Sequence, residues 1–238
     1  MDVSEHTDSP IESNNTQRPT VSVEIYSDVV CPWCYIGKRK FEAGLAEFRA
    51  EHGADVDVDV AFRPFQLDPT ASPGRSGPVF DAYAQKFGGP ERAQEILDHV
   101  TSAAAATGIE FRMDRALRAN TLLAHRLLWL SEQTESPVTQ DAMKERLLRA
   151  YFHDGIDIGD PDALADLAAD EGFDHATVRE FFDSDRGNAE VAAELRGAAD
   201  RGVTAVPTFV FNDTWAVPGA QEPETFARVL TKMAANAG

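Results

Sequence analysis

The stretch TVSVEIYSDVVCPWCYIGKRKFE, residues 20–42, changes its hydrophobic period in mid-course, and the change falls on a pair of cysteines. Val21, Val23 and Ile25 alternate with Ser22, Glu24 and Tyr26, the period of a strand. From Trp33 the period is helical: Gly37, Phe41, Leu45 and Phe48 recur until His52-Gly53 ends the segment. ADVDVDVAFRPF then alternates again, with Val56, Val58, Val60 and Phe62 on one side. Strand, helix and strand of these lengths form a βαβ unit, so the two strands are expected to be parallel with a right-handed crossover. Asp55, Asp57 and Asp59 put the second strand at an edge, with one face toward water.

Beyond this unit the pattern changes. LDPTASPGRSGP reads as a loop, and from about Val79 to Gly202 the chain reads as helices punctuated by caps. Pro90 opens a segment that closes at Gly108. Asn120 is placed as the cap of TLLAHRLLWL, with Leu123, Leu127 and Leu130 on one face. Asp160-Pro161 supplies an N-cap followed by proline in the first turn, and that helix closes at Gly172. The segment after Asp174 carries Val178, Phe181 and Phe182. Strand patterning returns only at VPTFVFNDTWAVPG, two short runs around a tight Asn212-Asp213 turn, and a last helix follows Pro223. With the sheet elements at the two ends, the order is β-α-β … β-β-α, that of an α/β, thioredoxin-like fold with an all-helical insertion domain. The expected organisation is a disordered acidic tail over residues 1–19, a thioredoxin-like domain from 20–66 and 203–238, and a helical insertion over 67–202.

Cys31 and Cys34 are the only cysteines in 238 residues. A loop this short cannot staple distant parts of a fold, so the pair is half of a metal site, a redox couple or an inert accident of sequence. Cys31 lies where a strand hands over to a helix. Unpaired N–H groups and the positive end of the helix dipole gather there and favour a thiolate, so Cys31 is expected to have a depressed pKa. Pro32 fits the first helical turn, where its missing N–H costs nothing. Cys34, about one turn on, is near enough to close a disulfide and is expected to resolve a mixed disulfide formed at Cys31. A closed zinc site needs four ligands, and none of the six histidines forms an H-x₃₋₅-H pair, so no metal is expected.

Charge narrows the partners. The formal net charge is −18, with Asp and Glu spread along the whole chain, a field that repels nucleic acid and anionic membrane surfaces. Only Lys38, Lys40, Lys86, Lys144 and Lys232 are lysines, and a lysine-poor acidic surface points to adaptation to high salt. No apolar run approaches the ~18 residues of a membrane span. The polar start, MDVSEHTDSPIESNNTQRPT, lacks the apolar core of a secretory signal, so a cytoplasmic location is expected, where a lone C-x-x-C is more often catalytic or metal-binding than structural.

SDVVCPWCYIGKRKFE, together with RPFQLDP, NTLLAHRL, AYFHDGIDI, GVTAVPTFVFN and VPGAQEPETF, resembles the DsbA-type thioredoxin superfamily, and within it the FrnE-like branch of dithiol–disulfide oxidoreductases. The resemblance spans roughly residues 20 to 235. It implies a helical insertion partly covering the redox site, Cys31 and Cys34 as the redox pair, and Pro207, after Val206, as a cis-proline facing them. The Val206 backbone would then lie open beside the sulfurs and could pair with an extended substrate segment. Periplasmic DsbA proteins have a secretory signal and Pro-His between their cysteines; this chain has Pro32-Trp33. Kappa-class glutathione transferases and hydroxychromenecarboxylate isomerases share the architecture but commonly carry serine at the first position.

The expected activity is therefore thiol–disulfide exchange on protein or small-molecule disulfides, with no bound cofactor and with glutathione or another small thiol as a candidate co-substrate. A glutathione-dependent transferase or isomerase and a non-catalytic peptide-binding module are the alternatives. Trp33 is a candidate substrate contact or a plain surface residue. Glu24 and Asp28 are candidate proton acceptors for Cys34, against the commoner role of a strand-edge or turn carboxylate. His125 is a candidate neighbour of the site or a hydrogen-bonded histidine between helices.

Overall fold

The computed structural model describes residues 18–236. The elements in order are β1 (Thr20–Ser27), α1 (Pro32–His52), β2 (Asp57–Pro64), β3 (Gly77–Pro78), α2 (Val79–Phe87), α3 (Pro90–Ala105), β4 (Leu117–Arg118), α4 (Leu122–Glu132) and α5 (Gln140–Arg149). A π-helical turn (Ala150–Asp154) continues α5, followed by α6 (Pro161–Glu171), α7 (His175–Asp183), α8 (Asn188–Asp200), β5 (Thr208–Phe211), β6 (Trp215–Pro218) and α9 (Pro223–Ala235). The tail expected over 1–19 lies outside the described residues as far as residue 17.

The main sheet has the order β2-β1-β5-β6. β1 pairs in parallel with β2, from Thr20 opposite Asp57 to Ser27 opposite Pro64, and antiparallel with β5. β5 and β6 form the hairpin, pairing Phe211 with Trp215; Thr214 N–H closes the turn onto Phe211 O at 3.1 Å, and Asn212 and Asp213 at its centre take left-handed φ of +46° and +56°. The thioredoxin-like order read from the ends of the chain is the order found, and β2 is an edge strand. One departure is Tyr26. Alternation puts it on the polar face of β1, yet it is buried with Ala198 of α8, Val203 and Val210. α8 and Val203 cover that face at the C-terminal end of β1, whereas Ser22 nearer its start stays exposed.

The other face of the sheet carries the core that anchors α1. Phe41, Leu45 and Phe48 pack with Val21, Val23, Ile25, Phe209, Phe211 and Phe226 of α9. The Phe41 ring lies 5.4 Å from that of Phe209 and meets that of Phe226 edge-on at 5.5 Å. Gly44 lets α1 and α9 touch: a Cβ there would lie 2.8 Å from Phe226 Cβ and against the Pro223 carbonyl oxygen. A separate apolar cluster joins α2 to α7 and reaches Val29, Tyr35 and Ile36 beside the cysteines.

Asp160 caps α6 through the Asp162 and Ala163 N–H groups, and Asp174 caps α7 through that of Thr177. Three expectations need correction. Thr121, not Asn120, is the N-cap position of α4, although Asn120 Oδ1 does accept from Leu122 N–H at 2.9 Å. The buried residues of that helix are Ala124, His125, Arg126, Leu127, Leu128 and Ser131, with Leu123 and Leu130 at the margins, because the helix is held from two sides. The segment read as all-helical also contains the short β3–β4 ladder.

Candidate active site

β1 ends at Ser27, and the Cys31 N–H closes a turn onto Asp28 O at 3.3 Å. Cys31 is the N-cap of α1 with φ −87° and ψ 115°, and Pro32 opens the helix. The Cys34 N–H bonds Cys31 O at 3.0 Å, which closes the first turn and brings the second sulfur beneath the first. Both cysteines are free and buried. The Val206–Pro207 peptide is cis, and Cys31 Sγ lies 3.7 Å from Val206 O, within reach of a sulfur hydrogen bond. Gly37, one turn into α1, sits directly under Pro207: a Cβ there would lie 2.9 Å from Pro207 Cγ.

The dithiol departs from the sequence expectation in one respect. Cys31 is pushed well above its ordinary pKa by its hydrogen bond to Cys34, by burial, by the charge on Cys34 and by Asp28, while the Cys34 N–H opposes this only in part. Cys34 is buried too, which raises its pKa, but the hydrogen bond from Cys31, the Lys144 charge and the Ser27 hydroxyl together hold it below its ordinary value. These neighbours work against ionisation of Cys31 and in favour of ionisation of Cys34. Of the groups at the start of α1 only the Cys34 N–H lowers the Cys31 pKa, and the enclosing neighbours outweigh it.

Asp28 is fully buried, and its Oδ2 accepts from Leu67 N–H at 2.8 Å. His125 Nε2 lies 3.2 Å from Asp28 Oδ1 and 3.0 Å from Phe65 O, so it donates between the two acceptors. The structure thus brings Asp28 and His125 together beside the cysteines. Glu24 lies elsewhere, bonded by Arg63 at 2.8 Å and Arg201 at 2.7 Å in an ion-pair cluster that ties β1 to β2 and to the end of α8. Trp33, 37% exposed, stands at the rim with its ring 5.8 Å from that of His99 on α3.

Above Cys31 is a cavity of about 560 Å³. Cys31, Trp33 and Val206 line one side, and Val79, Tyr83, Phe87, Ile96 and Val100 of α2 and α3 line the other. The lining is mostly apolar, with Lys86, Gln85 and an Asp68–Arg118 ion pair among its polar groups. Tyr83 and Tyr151 also face the cavity. Burial and the Cys31 charge push Tyr83 up to about 12, and burial raises Tyr151 further, so both remain O–H donors at neutral pH.

Lys144, Tyr83 and Tyr151 were not singled out from sequence. Lys144 had one visible signal. In QDAMKERLLR it shares a helix face with Gln140, Leu147 and Leu148, an odd place for one of only five lysines. Gln140 fixes α5 against the sheet: its side-chain amide bonds both Phe62 N–H (2.7 Å) and Phe62 O (3.1 Å), as a neighbouring strand would. One turn later, Lys144 Nζ lies 5.5 Å over the Phe62 ring. Among the described residues no group of three or more His, Cys, Asp or Glu side chains is placed to hold a metal ion, and no helix is long and apolar enough to cross a membrane.

A four-stranded thioredoxin-like sheet with a C-x-x-C at the β1–α1 junction and a facing proline loop defines the class, and the chain belongs to the DSBA-like thioredoxin domain family, whose model matches residues 22–231. A probable DsbA oxidoreductase from Streptomyces coelicolor is 35% identical, with a TM-score of 0.81 over 90% of each chain. YwbO of Bacillus subtilis (strain 168) is 28% identical over 214 residues, 89% of this chain and 96% of that protein. The cytosolic disulfide reductase DsbM of Pseudomonas aeruginosa, solved with GSH, shares the fold at 17% identity and a TM-score of 0.60, covering 90% of this chain and 99% of that one.

Proposed function

We propose that the chain is a thiol–disulfide oxidoreductase whose Cys31–Cys34 pair exchanges disulfides with thiols held in the cavity beneath α2 and α3. The observation that carries this reading is the joint placement of both sulfurs, the Val206 carbonyl and the open cavity at one helix N-terminus. With the pair oxidised, a substrate thiolate attacks Cys31 Sγ. The S–S bond breaks, its electron pair leaves on Cys34, and substrate and Cys31 form a mixed disulfide. A second substrate thiolate then attacks the substrate sulfur of that bond and releases Cys31 as a thiolate. The substrate has lost two electrons and the pair has gained them. In the opposite direction Cys34 attacks Cys31 Sγ and expels the substrate thiolate.

Pro32 and Trp33 shape the mouth of the site, and Val206 and Pro207 its floor. We read residues 67–202 as an insertion that roofs the site; the separate apolar cluster around α4 to α7 supports this. The cavity is large enough for a small peptide thiol, and the GSH carried by the DsbM structure supports glutathione as a co-substrate. A chain whose only cysteines form one such pair suits a reducing compartment, so we place the activity in the cytoplasm. The lysine-poor acidic composition supports a salt-adapted protein.

Turnover of a model disulfide by Cys34→Ser tests the reading. Activity should fall at least ~100-fold, with the substrate retained as a disulfide on Cys31, because resolution needs the second sulfur. Full activity with glutathione in Cys34→Ser would instead select the glutathione-dependent transferase or isomerase. Peptide binding that survives removal of both cysteines, in a protein without reductase activity, would select the binding module.

A further inference from the structure

Two phenol hydroxyls open on the cavity above Cys31 with no protein group to receive them. Tyr151 is only 2% exposed, yet it lines the cavity, and half-buried Tyr83 of α2 lines it too. In a cavity of about 560 Å³ one bound molecule can meet Cys31 and both hydroxyls. Tyr35, in the same apolar cluster as Tyr151, has its hydroxyl on Glu145 at 2.6 Å. Among the described residues Tyr83 and Tyr151 have no such partner: burial and neighbouring charge act on them, and no hydrogen bond does. Phenylalanine would serve the packing equally well. The Tyr83 ring lies 5.3 Å from that of Phe87, and the Tyr151 ring meets that of Phe152 edge-on at 4.7 Å. A hydroxyl kept where no side chain or backbone group accepts it points to an acceptor brought by a ligand. Tyr151 also sits in the π-helical turn, a rare geometry found mostly where function requires it.

The chemistry names that acceptor. When Cys31, as a thiolate, attacks a substrate disulfide, a bond forms to the nearer sulfur, the substrate S–S bond breaks, and its electron pair leaves on the farther sulfur. Among apolar walls, in a molecule of net charge −18, such an anion is costly. The cations of the cavity are engaged elsewhere: Arg118 Nε bonds Asp68 at 2.9 Å, and Lys86 Nζ lies 5.5 Å over the Phe87 ring. We propose that Tyr83 and Tyr151 donate hydrogen bonds to the departing substrate sulfur, so that the helical segment supplies catalytic groups as well as a roof. Cys34 then attacks Cys31 Sγ and expels the second substrate thiolate into the same donors. The dithiol has lost two electrons and two protons, and the substrate disulfide has become two thiols. Donors so placed help most where the departing thiol is weakly acidic. The substrate class they select is the aliphatic disulfide, of the kind cysteine forms, over an activated aryl one.

The role assigned to the two tyrosines rests on the exchange reading, and the experiment separates the two. The reduced protein is mixed, under single-turnover conditions, with two small neutral disulfides: hydroxyethyl disulfide, which expels an alkyl thiolate, and dipyridyl disulfide, which expels an acidic, delocalised one. In the Tyr83→Phe, Tyr151→Phe double variant, which keeps both rings, reduction of the alkyl disulfide should slow about tenfold or more and that of the aryl disulfide about threefold at most. Each single substitution should fall between. The aryl reaction also reports that the variant is folded and its dithiol intact. Rates that do not fall, or that fall alike for both disulfides as in a site merely disturbed, overturn the proposal. An unsubstituted protein that reduces neither disulfide refutes the exchange reading and this role with it. One that reduces both, with equal sensitivity to loss of the hydroxyls, keeps the exchange reading and refutes the tyrosines alone.

Discussion

Two sulfurs one helical turn apart meet different neighbours: Cys31 faces the cavity and the Val206 carbonyl, while Cys34 is enclosed behind it. The position of Cys31 at the end of a strand and the start of a helix is written in local sequence, and so was legible. So was a proline ahead of a short strand, and the family resemblance gave Pro207 its place beside the cysteines. The enclosure of Cys34 was not legible, because Lys144 lies 110 residues further on and arrives only when α5 docks on β2. Asp28 and Glu24 looked alike in sequence; tertiary structure separates them into a carboxylate beside the site and one in a surface ion-pair cluster. Lys144 also leaves a mark on stability. A lysine held near 8 instead of 10.5 destabilises the fold fully below pH 8, progressively less as pH rises toward 10.5, and not at all above. Lys144→Met should therefore raise the unfolding free energy at pH 7 by about 3 kcal/mol, the gain shrinking between pH 8 and 10.5. Denaturant unfolding across that range checks this, and a variant less stable at pH 7 would contradict it.

Elements were readable where their ends carry side-chain chemistry. Asp160, Asp174 and the Asn212-Asp213 turn mark their boundaries because short polar side chains and left-handed backbone have few alternatives. The buried stripe of α4 was misjudged because a helix packed on two sides has no single apolar face. The π-helical turn at Ala150–Asp154 and the β3–β4 ladder leave no periodic trace at their lengths. Close approaches are equally silent in sequence. Gly44 would ordinarily be improved by alanine, which favours a helix by about 1 kcal/mol. Here the added methyl meets the Pro223 carbonyl and Phe226 on α9, so Gly44→Ala should lower stability by about 2 kcal/mol. Thermal or denaturant unfolding measures it; a stabilised variant would mean that α1 and α9 do not touch as described.

At the scale of the whole molecule, the sheet is assembled from the two ends of the chain and the site lies where the intervening helices return to it. Placing strand patterns at both ends sufficed to read this topology, but not which helices would line the cavity, since that depends on how α2 and α3 fold back over Cys31. The net charge of −18 acts at the same scale. Raising monovalent salt from 0.1 M to 1 M shortens the screening length from about 10 Å to about 3 Å, which weakens diffuse self-repulsion more than the short, half-buried pairs of Arg63 with Glu24 and Glu132. The thermal midpoint should rise over that range; a fall would show that the ion pairs outweigh the repulsion.

Equilibration of the full chain in glutathione redox buffers, with the thiol state fixed by acid quench and alkylation and read by mass, bears most directly on the Cys31–Cys34 pair. A single reversible transition between the dithiol and the intramolecular disulfide, involving two electrons and abolished by either Cys31→Ser or Cys34→Ser, is the expected result. A pair that stays reduced across the whole range, or that ends as a stable glutathione adduct on Cys31 with Cys34 still free, would contradict disulfide exchange by this site.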